Sequence, residues 1–313
     1  MPSAPSGELW AGDDAAVFSV GAAPLVLTID TITQGIDFDL SYGSGADAGW
    51  KAVAQNVSDV AAMGATPGRA VVSLSLPAAT SVAVADDISA GLAAAAANWG
   101  VGLAGGDVGE SSEISITVAL TGAVGAHGPV LRSGAAVGQA LCVTGALGGA
   151  AAGLWSLRAS PAATPPAHEA RLRSRQLRGH AQPAAGAALA GLAGAMIDLS
   201  DGLLVDLAHL LDASGVGCDV DPSSVPIDDD LLVLAAEPRG QGLDPLLLAL
   251  TGGEDYELLF TLEESDLGSA RDLLSRLDVR MTRIGTIVAD ARRVGDRSLE
   301  DYRSMTWEHL RGS

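Results

Sequence analysis

The sequence predicts an α/β protein of two domains, each with helices layered on a sheet, and three observations predict it. The chain has 313 residues, 48% of them apolar, enough for two ordinary domains with a core each. Short β-patterned runs alternate with longer runs whose apolar residues recur at helical spacing. Both halves contain a glycine-rich, acid-bearing turn, and the texture changes around residues 132–136, dividing the chain into residues 1–135 and 136–313.

In the first half, residues 1–9 are polar and Pro-rich and read as a disordered tail. Residues 24–31 have a strand pattern. Across residues 46–63, Val53, Val57, Val60 and Met63 recur at helical spacing, with Gly64 as the stop and with Asn56 and Asp59 on one face. Residues 69–76 read as a strand, 82–99 as an Ala-rich helix, 101–104 as a short strand running into Gly105-Gly106-Asp107, and 114–124 as an alternating strand.

In the second half, a strand over 140–144 leads into the glycine-rich segment 145–153 and a helix to about residue 157. Residues 159–182 are rich in Pro, Ala and Arg, lack a clear apolar period and read as a flexible connection. A helix follows Asp201, runs to Ala213 and stops at Gly215; a loop then carries Asp228, Asp229 and Asp230. A strand over 256–262, a helix over 265–277 and a strand over 283–288 complete the series.

A net charge of −20 argues against a nucleic-acid partner, because phosphate backbones are bound by clustered Lys and Arg, and only one lysine, Lys51, is present. No apolar run reaches membrane-spanning length free of charges or many glycines, and no basic-then-apolar leader opens the chain. A soluble, cytoplasmic protein without a membrane partner is the expectation. Cys142 and Cys218 lie far apart in apolar segments and read as reduced core thiols.

The chain is organised around Ala195-Met-Ile-Asp-Leu-Ser-Asp-Gly-Leu-Leu204. An apolar run stops at Asp198 and the next helical period starts near Leu203, which places Asp198, Ser200 and Asp201 on the turn between them. Two carboxylates and a hydroxyl on one turn either hold a hard cation or cap the helix that follows. Other acidic motifs read as lying at comparable junctions: Asp14, Asp30 beside Thr28, Asp59, Asp107, and Gly252-Gly-Glu-Asp-Tyr-Glu257. Their convergence would suit magnesium, which prefers oxygen ligands and bridges to phosphates.

Phosphate recognition by other routes finds little support. There is no G-x-x-x-x-G-K-[ST], and the segment from Gly145 to Gly149 lacks both the lysine and the spaced acid of a dinucleotide turn. A polyphosphate met by so acidic a set of motifs must have its charge neutralised by metal ions. Arg132, in Leu131-Arg-Ser-Gly134, is either a charge-assisted contact to a nucleotide phosphate or an exposed arginine at the domain boundary.

Together, Gly12-Asp-Asp-Ala15, Asn56-Val-Ser-Asp-Val-Ala-Ala-Met-Gly64, Gly105-Gly-Asp107, Leu131-Arg-Ser-Gly134, Ile197-Asp-Leu-Ser-Asp-Gly-Leu203 and Gly252-Gly-Glu-Asp-Tyr-Glu-Leu258 resemble the thiamine-monophosphate kinase family, in order and over nearly the whole chain. Single pieces recur in the aminoimidazole ribonucleotide synthetase and selenophosphate synthetase group, but the last two motifs in combination point to the thiamine kinases. The resemblance implies the two-domain aminoimidazole ribonucleotide synthetase-like fold, with an N-terminal domain that dimerises through its sheet into a homodimer and a C-terminal α/β domain. It implies that ATP passes its terminal phosphoryl group directly to thiamine monophosphate, giving thiamine diphosphate and ADP, assisted by several Mg2+ ions and without a covalent enzyme intermediate.

By the same resemblance, Asp14, Thr28, Asp30, Asp59, Asp107, Asp198 and Asp201 form the metal set, and Gly106, Asp107, Arg132 and Ser200 contact ATP. The resemblance also implies that Glu254 meets the thiamine part, and it matches Trp307 to a C-terminal aromatic that is either a stacking surface for a flat cationic ring or an ordinary packing residue; Asp37, outside the family pattern, is a further candidate contact to the cationic thiamine.

The sequence also departs from the family pattern. A short polar segment precedes the Gly-Asp-Asp turn where the family has a helix, Asp37 stands where His is frequent, and Ile29 replaces a hydroxyl residue before the metal aspartate. Val108 replaces a common Thr, and a Pro-x-Pro-Arg stretch is absent near residues 180–183. Two other readings therefore stand beside the kinase: a related ATP-dependent synthetase or kinase with another acceptor, and a magnesium- and nucleotide-binding remnant without turnover. Selenophosphate synthetase is disfavoured, since no cysteine lies near the N-terminus.

Overall fold

The structure is a computed structural model that describes residues 9, 13–20, 23–160 and 164–305. Most of the N-terminal tail and Trp307 therefore lie outside the described residues. The first half comprises β1 (Ala16–Val20), β2 (Ala23–Thr33), α1 (Gly45–Ala62), β3 (Ala65–Leu76), α2 (Val82–Trp99), β4 (Gly102–Glu110) and β5 (Ser115–Val124). Its strands form one sheet in the order β1-β2-β5-β3-β4. The β3–β4 pair is parallel, joined by the crossover helix α2, and the other pairs are antiparallel.

The two faces of this sheet have opposite character. Val26, Ile116, Val118 and Leu120 are buried on the side that α1 covers with Val53, Val57 and Val60. The alternate residues Leu27, Ile29 and Val71 are exposed at 39%, 65% and 51%, so the second face is apolar and uncovered within the chain. Ser44 and Asp47 form a capping box that starts α1. α1 and α2 cross at backbone distance, since a Cβ on Gly91 would stand 2.0 Å from the Ala46 carbonyl oxygen and one on Gly49 2.2 Å from that of Ile88.

The second half contains β6 (Ala140–Thr144), α3 (Gly149–Ala159), α4 (Ala167–Leu177), α5 (Pro183–Leu189), β7 (Met196–Asp198), α6 (Leu203–Ser214) and β8 (Gly217–Val220). It continues with α7 (Asp229–Ala236), α8 (Pro245–Thr251), β9 (Leu258–Leu262), α9 (Leu267–Ser275), β10 (Met281–Val288), β11 (Arg292–Val294) and β12 (Arg297–Ser298). Its sheet runs β12-β11-β8-β10-β6-β9-β7. A cluster of Ala61, Ala62 and Val130 with Ala185, Leu189, Met196 and Phe260 joins the two halves into one packed body.

Residues 159–182 depart from the expected flexible connection. They contain α4, which turns a polar face inward: Ser156 donates to Glu169 at 2.7 Å, Arg173 Nε donates to Ser156 Oγ at 2.9 Å, and Arg239 lies 2.7 Å from Glu169. Leu172 is the one apolar residue of α4 that is fully buried, which is why no apolar period marks the helix. Asp228 likewise caps α7, accepting from the N–H groups of Asp230 and Leu231, where a loop was expected.

Cys142 and Cys218 are free and buried, and burial pushes their thiols up to about 12 and about 11. Among the described residues no helix is long and apolar enough to cross a membrane.

Candidate active site

Acidic side chains from both halves meet where α1, β2 and the end of β7 come together. Carboxylate oxygens of Asp14, Asp59 and Asp198 all lie within 4.8 Å of one another. Asp14 lies two residues before β1, Asp59 lies on the inner part of α1, and Asp198 ends β7. Asp30 sits on β2, and strand alternation turns Thr28 and Asp30 to the helix side, where Thr28 Oγ1 donates to Asp59 and the Asp30 carboxylate is hydrogen-bonded to Asp59. The sequence pattern places Asp30 at a junction; it lies inside an 11-residue strand instead, three residues before its end.

The cluster holds more negative charge than its surroundings solvate. Burial raises Asp198 well above the ordinary carboxylate range, and the Asp14 charge beside it adds to this. Burial, then the charges of Asp198, Asp30 and Asp14, raise Asp59 in the same way. Asp30 is raised by burial and by the nearby Asp201. Ser58 opposes the trend by donating a 2.5 Å hydrogen bond to Asp198.

The turn after β7 is shaped by backbone contacts that explain its glycines. Asp206, on the first turn of α6, accepts from the N–H groups of Asp201 and Gly202, both at 3.1 Å. Gly202 has φ +107, and a Cβ there would stand 2.9 Å from the Thr251 carbonyl group. Residues 254–257 run alongside: Glu254 N–H donates to the Ser200 carbonyl at 2.8 Å, Tyr256 N–H to that of Leu199 at 2.9 Å, and Leu199 N–H to that of Glu257 at 2.8 Å. The two motifs that carry the family resemblance are thus the two sides of one hydrogen-bonded structure, with Asp198, Ser200 and Asp201 on one side and Glu254 on the other.

Arg132 reaches the cluster from the segment between the two sheets. Its Nε and Nη2 donate to the two oxygens of Asp14 at 3.1 and 2.6 Å, and its backbone N–H donates to Asp13 at 3.0 Å. Burial works against the guanidinium charge, but the Asp14 bonds outweigh it and the arginine is held more firmly protonated.

Three groups of the site carry no motif in the sequence, and two of them lie on the far side of Glu254. Lys51 Nζ lies 2.6 Å from Glu254 Oε1 and donates to the Asp37 carbonyl oxygen at 2.6 Å. Gln176, on α4, donates to Glu254 Oε2. The third is Asp206, at the Asp201 turn, which the sequence pattern shows only as one residue of a helix. The one usable signal was Lys51, the sole lysine in a chain of 18 Lys and Arg residues. Asp37 is close by, but its carboxylate turns back to accept the Thr33 N–H at 2.7 Å.

Gly106 and Asp107 are not brought to the cluster within one chain. β4 is three strands from β2, about 14 Å at ordinary strand spacing. Asp107 is in register with Ser73, Thr117 and Thr31, a row that projects from the open face, whereas Asp30 projects from the other. Ile29 also projects from the open face, so its side chain is directed away from the acids.

Comparisons with known proteins agree with this architecture. Residues 12–124 match the AIR synthase related protein, N-terminal domain, and residues 136–296 match the AIR synthase related protein, C-terminal domain. The chain is 39% identical over 254 residues to a thiamine-monophosphate kinase of Mycobacterium tuberculosis, covering 80% of this chain and 74% of that protein. It is 37% identical over 284 residues to the thiamine-monophosphate kinase of Escherichia coli, covering 90% and 85%. The thiamine monophosphate kinase structure from Aquifex aeolicus superposes with a TM-score of 0.82 at 31% identity, covering 91% of this chain and 92% of that one. AaThiL complexed with AMPPCP and TMP superposes equally well, covering 92% and 90%.

Proposed function

The chain belongs to the AIR synthase related family and, within it, to the thiamine-monophosphate kinases, and from this premise we propose how its residues serve the ATP-dependent phosphorylation of thiamine monophosphate. The observation that carries the reading is the meeting of Asp14, Asp59 and Asp198 from three separate segments beside the Ser200–Glu254 structure.

The donor set fits a hard divalent cation. It is made of carboxylate and hydroxyl oxygens, it is largely buried, and burial, followed by the charges of neighbouring carboxylates, pushes Asp59 and Asp198 toward protonation where no cation offsets them. Asp14, Thr28, Asp30, Asp59, Asp198 and Asp201 would hold several Mg2+ ions, which supply neutralisation of phosphate charge and alignment of the two anions when bound.

The chain's own residues do the rest. Ser58 and Thr28 orient the Asp198 and Asp59 carboxylates, and Asp206 fixes the turn that presents Ser200 and Asp201. Arg132 anchors Asp14, and its partly exposed guanidinium faces the nucleotide phosphates. Glu254 lines the side where thiamine monophosphate docks, with Asp37 behind it and Trp307 as a further contact. With both substrates held in line, the γ-phosphoryl group of ATP moves directly to the acceptor phosphate oxygen.

Residues 1–135 form the nucleotide and dimerisation domain in this reading, and residues 136–313 the C-terminal α/β domain of a cytoplasmic homodimer. The open face bearing Leu27, Ile29 and Val71 supports association through the first sheet. Gly106 and Asp107 then reach a nucleotide from a second copy, which accounts for their distance from Asp30 within one chain.

The orientation of Ile29 toward the open face removes one reason for reading the protein as an inactive remnant. The test is product analysis: the protein is incubated with ATP and Mg2+ plus thiamine monophosphate, thiamine or aminoimidazole ribonucleotide precursors, and products are separated by chromatography. Thiamine diphosphate and ADP are expected from the first mixture, and their absence would overturn the reading.

A further inference from the structure

We propose that Lys51 is the positioning residue of the acceptor site: by tying Glu254 to the loop at Asp37 it sets the affinity for thiamine monophosphate without taking part in the transfer itself. The inference rests on the kinase reading above and extends it to a residue outside the metal and nucleotide sets.

Lys51 is chemically singular in this chain. Every other one of the 18 Lys and Arg residues is arginine, yet this position is a lysine that is only 3% exposed. Burying an ammonium forfeits its hydration and the freedom of a four-carbon stem, so such a group persists where oxygen partners replace the water. Two are present, the Asp37 carbonyl and Glu254 Oε1, each 2.6 Å from Nζ. They belong to different halves of the chain, and a compact charge with radiating donors bridges them where a planar guanidinium fork would not.

Its partner is one of two strained residues of the segment, the other being Tyr256 with φ +52. Glu254 has φ +69, a left-handed conformation that side chains disfavour. Three bonds hold it there: its N–H to the Ser200 carbonyl, Gln176 to Oε2, and Lys51 to Oε1. The helices supplying Lys51 and Gln176 are themselves tied together, since Arg178 Nε donates to Asp47 at 2.6 Å and Trp50 Nε1 to the Gly179 carbonyl at 3.1 Å. The cavity alongside, lined by Asp37, Tyr42, Asp47, Lys51 and Gln176, measures about 10 Å³, room for one water. Glu254 therefore meets the acceptor with its charge already matched and its geometry fixed, so that losing Lys51 loosens acceptor binding specifically.

The test is steady-state kinetics on the full chain for wild type, Lys51→Met, Lys51→Arg, Glu254→Gln and the double variant Lys51→Met/Glu254→Gln, with the thermal midpoint of each. Lys51→Met is expected to raise KM for thiamine monophosphate tenfold or more, leaving kcat and KM for ATP within threefold. Lys51→Arg should recover only part of the loss, and the double variant should be no worse than the poorer single one. An unchanged KM for thiamine monophosphate, a parallel rise in KM for ATP, or additive losses in the double variant would overturn the proposal. Should Lys51→Met fail to fold, Glu254→Gln, which also removes the ion pair, must show the same split between the two substrates, and its absence counts against the proposal equally. Wild-type turnover separates the two levels of the account: its absence overturns both readings, while normal wild-type turnover with an unaltered Lys51→Met profile overturns this one alone.

Discussion

Ser58 on α1 donates a 2.5 Å hydrogen bond to Asp198 at the end of β7, across 140 positions of sequence, and so joins the two halves at the acid cluster. Because this bond holds down the proton affinity of Asp198, its removal leaves a buried carboxyl group more readily protonated. Ser58→Ala should lower folding stability by about 1–3 kcal/mol and raise the Mg2+ concentration needed for half-maximal rate several-fold. Urea unfolding and a magnesium titration of the initial rate check both.

Asp59 illustrates a separation of stability from activity. Burial and the neighbouring charges of Asp198, Asp30 and Asp14 make its ionised form unfavourable in the metal-free fold. Asp59→Asn should therefore leave the metal-free thermal midpoint unchanged or raised, while kcat falls by about a hundredfold or more. Asp201→Asn should likewise lower kcat far more than stability. Retained activity in either variant contradicts the role assigned to that residue.

Stability should depend on pH in a defined window. Burial raises Asp13 to about 6 and Asp255 and Glu257 to about 7, from unperturbed values of 3.8, 3.8 and 4.5. Between about pH 4 and pH 7 the folded protein thus binds more protons at these groups than the unfolded chain, and their contribution to stability decreases as pH rises. Thermal scans in a chelator should show the midpoint falling across this window and flattening above it. A midpoint that climbs from pH 5 to pH 7 would contradict the assignment.

Helix α4 supplies a prediction about packing. A Cβ on Gly153 would stand 2.1 Å from the Leu172 carbonyl oxygen, so α3 and α4 can approach this closely only with glycine at that position. Gly153→Ala should cost about 1–3 kcal/mol of stability by displacing α4. Since α4 carries Gln176, KM for thiamine monophosphate should rise with it, as measured by chemical unfolding alongside steady-state kinetics.

What was legible in the sequence follows from the kind of signal each element carries. α1 and α2 announced themselves through Val53, Val57 and Val60 and through an Ala-rich run, because their buried faces are apolar. The turn at Asp198 was legible because an apolar strand ends there and a helix begins, with glycine at the bend. α4 was hidden because Glu169, Arg173 and Gln176 are buried through ion pairs and hydrogen bonds, which leave no periodicity of hydrophobicity. Lys51 and Glu254 are 203 positions apart, and nothing in local pattern brings them together; only the fold does. The separation of Asp107 from Asp30 was likewise invisible, since it depends on strand order and on which face each residue takes.

In the proposed function, buried acids from both halves act through divalent cations to bring two mutually repelling anions together. This role is tested most directly by the initial rate of thiamine diphosphate formation from ATP and thiamine monophosphate as free Mg2+ is titrated from full chelation upward. No turnover is expected in the chelator, with full recovery on adding Mg2+ and a rise steeper than first order in Mg2+. Undiminished turnover in the chelator would contradict the role.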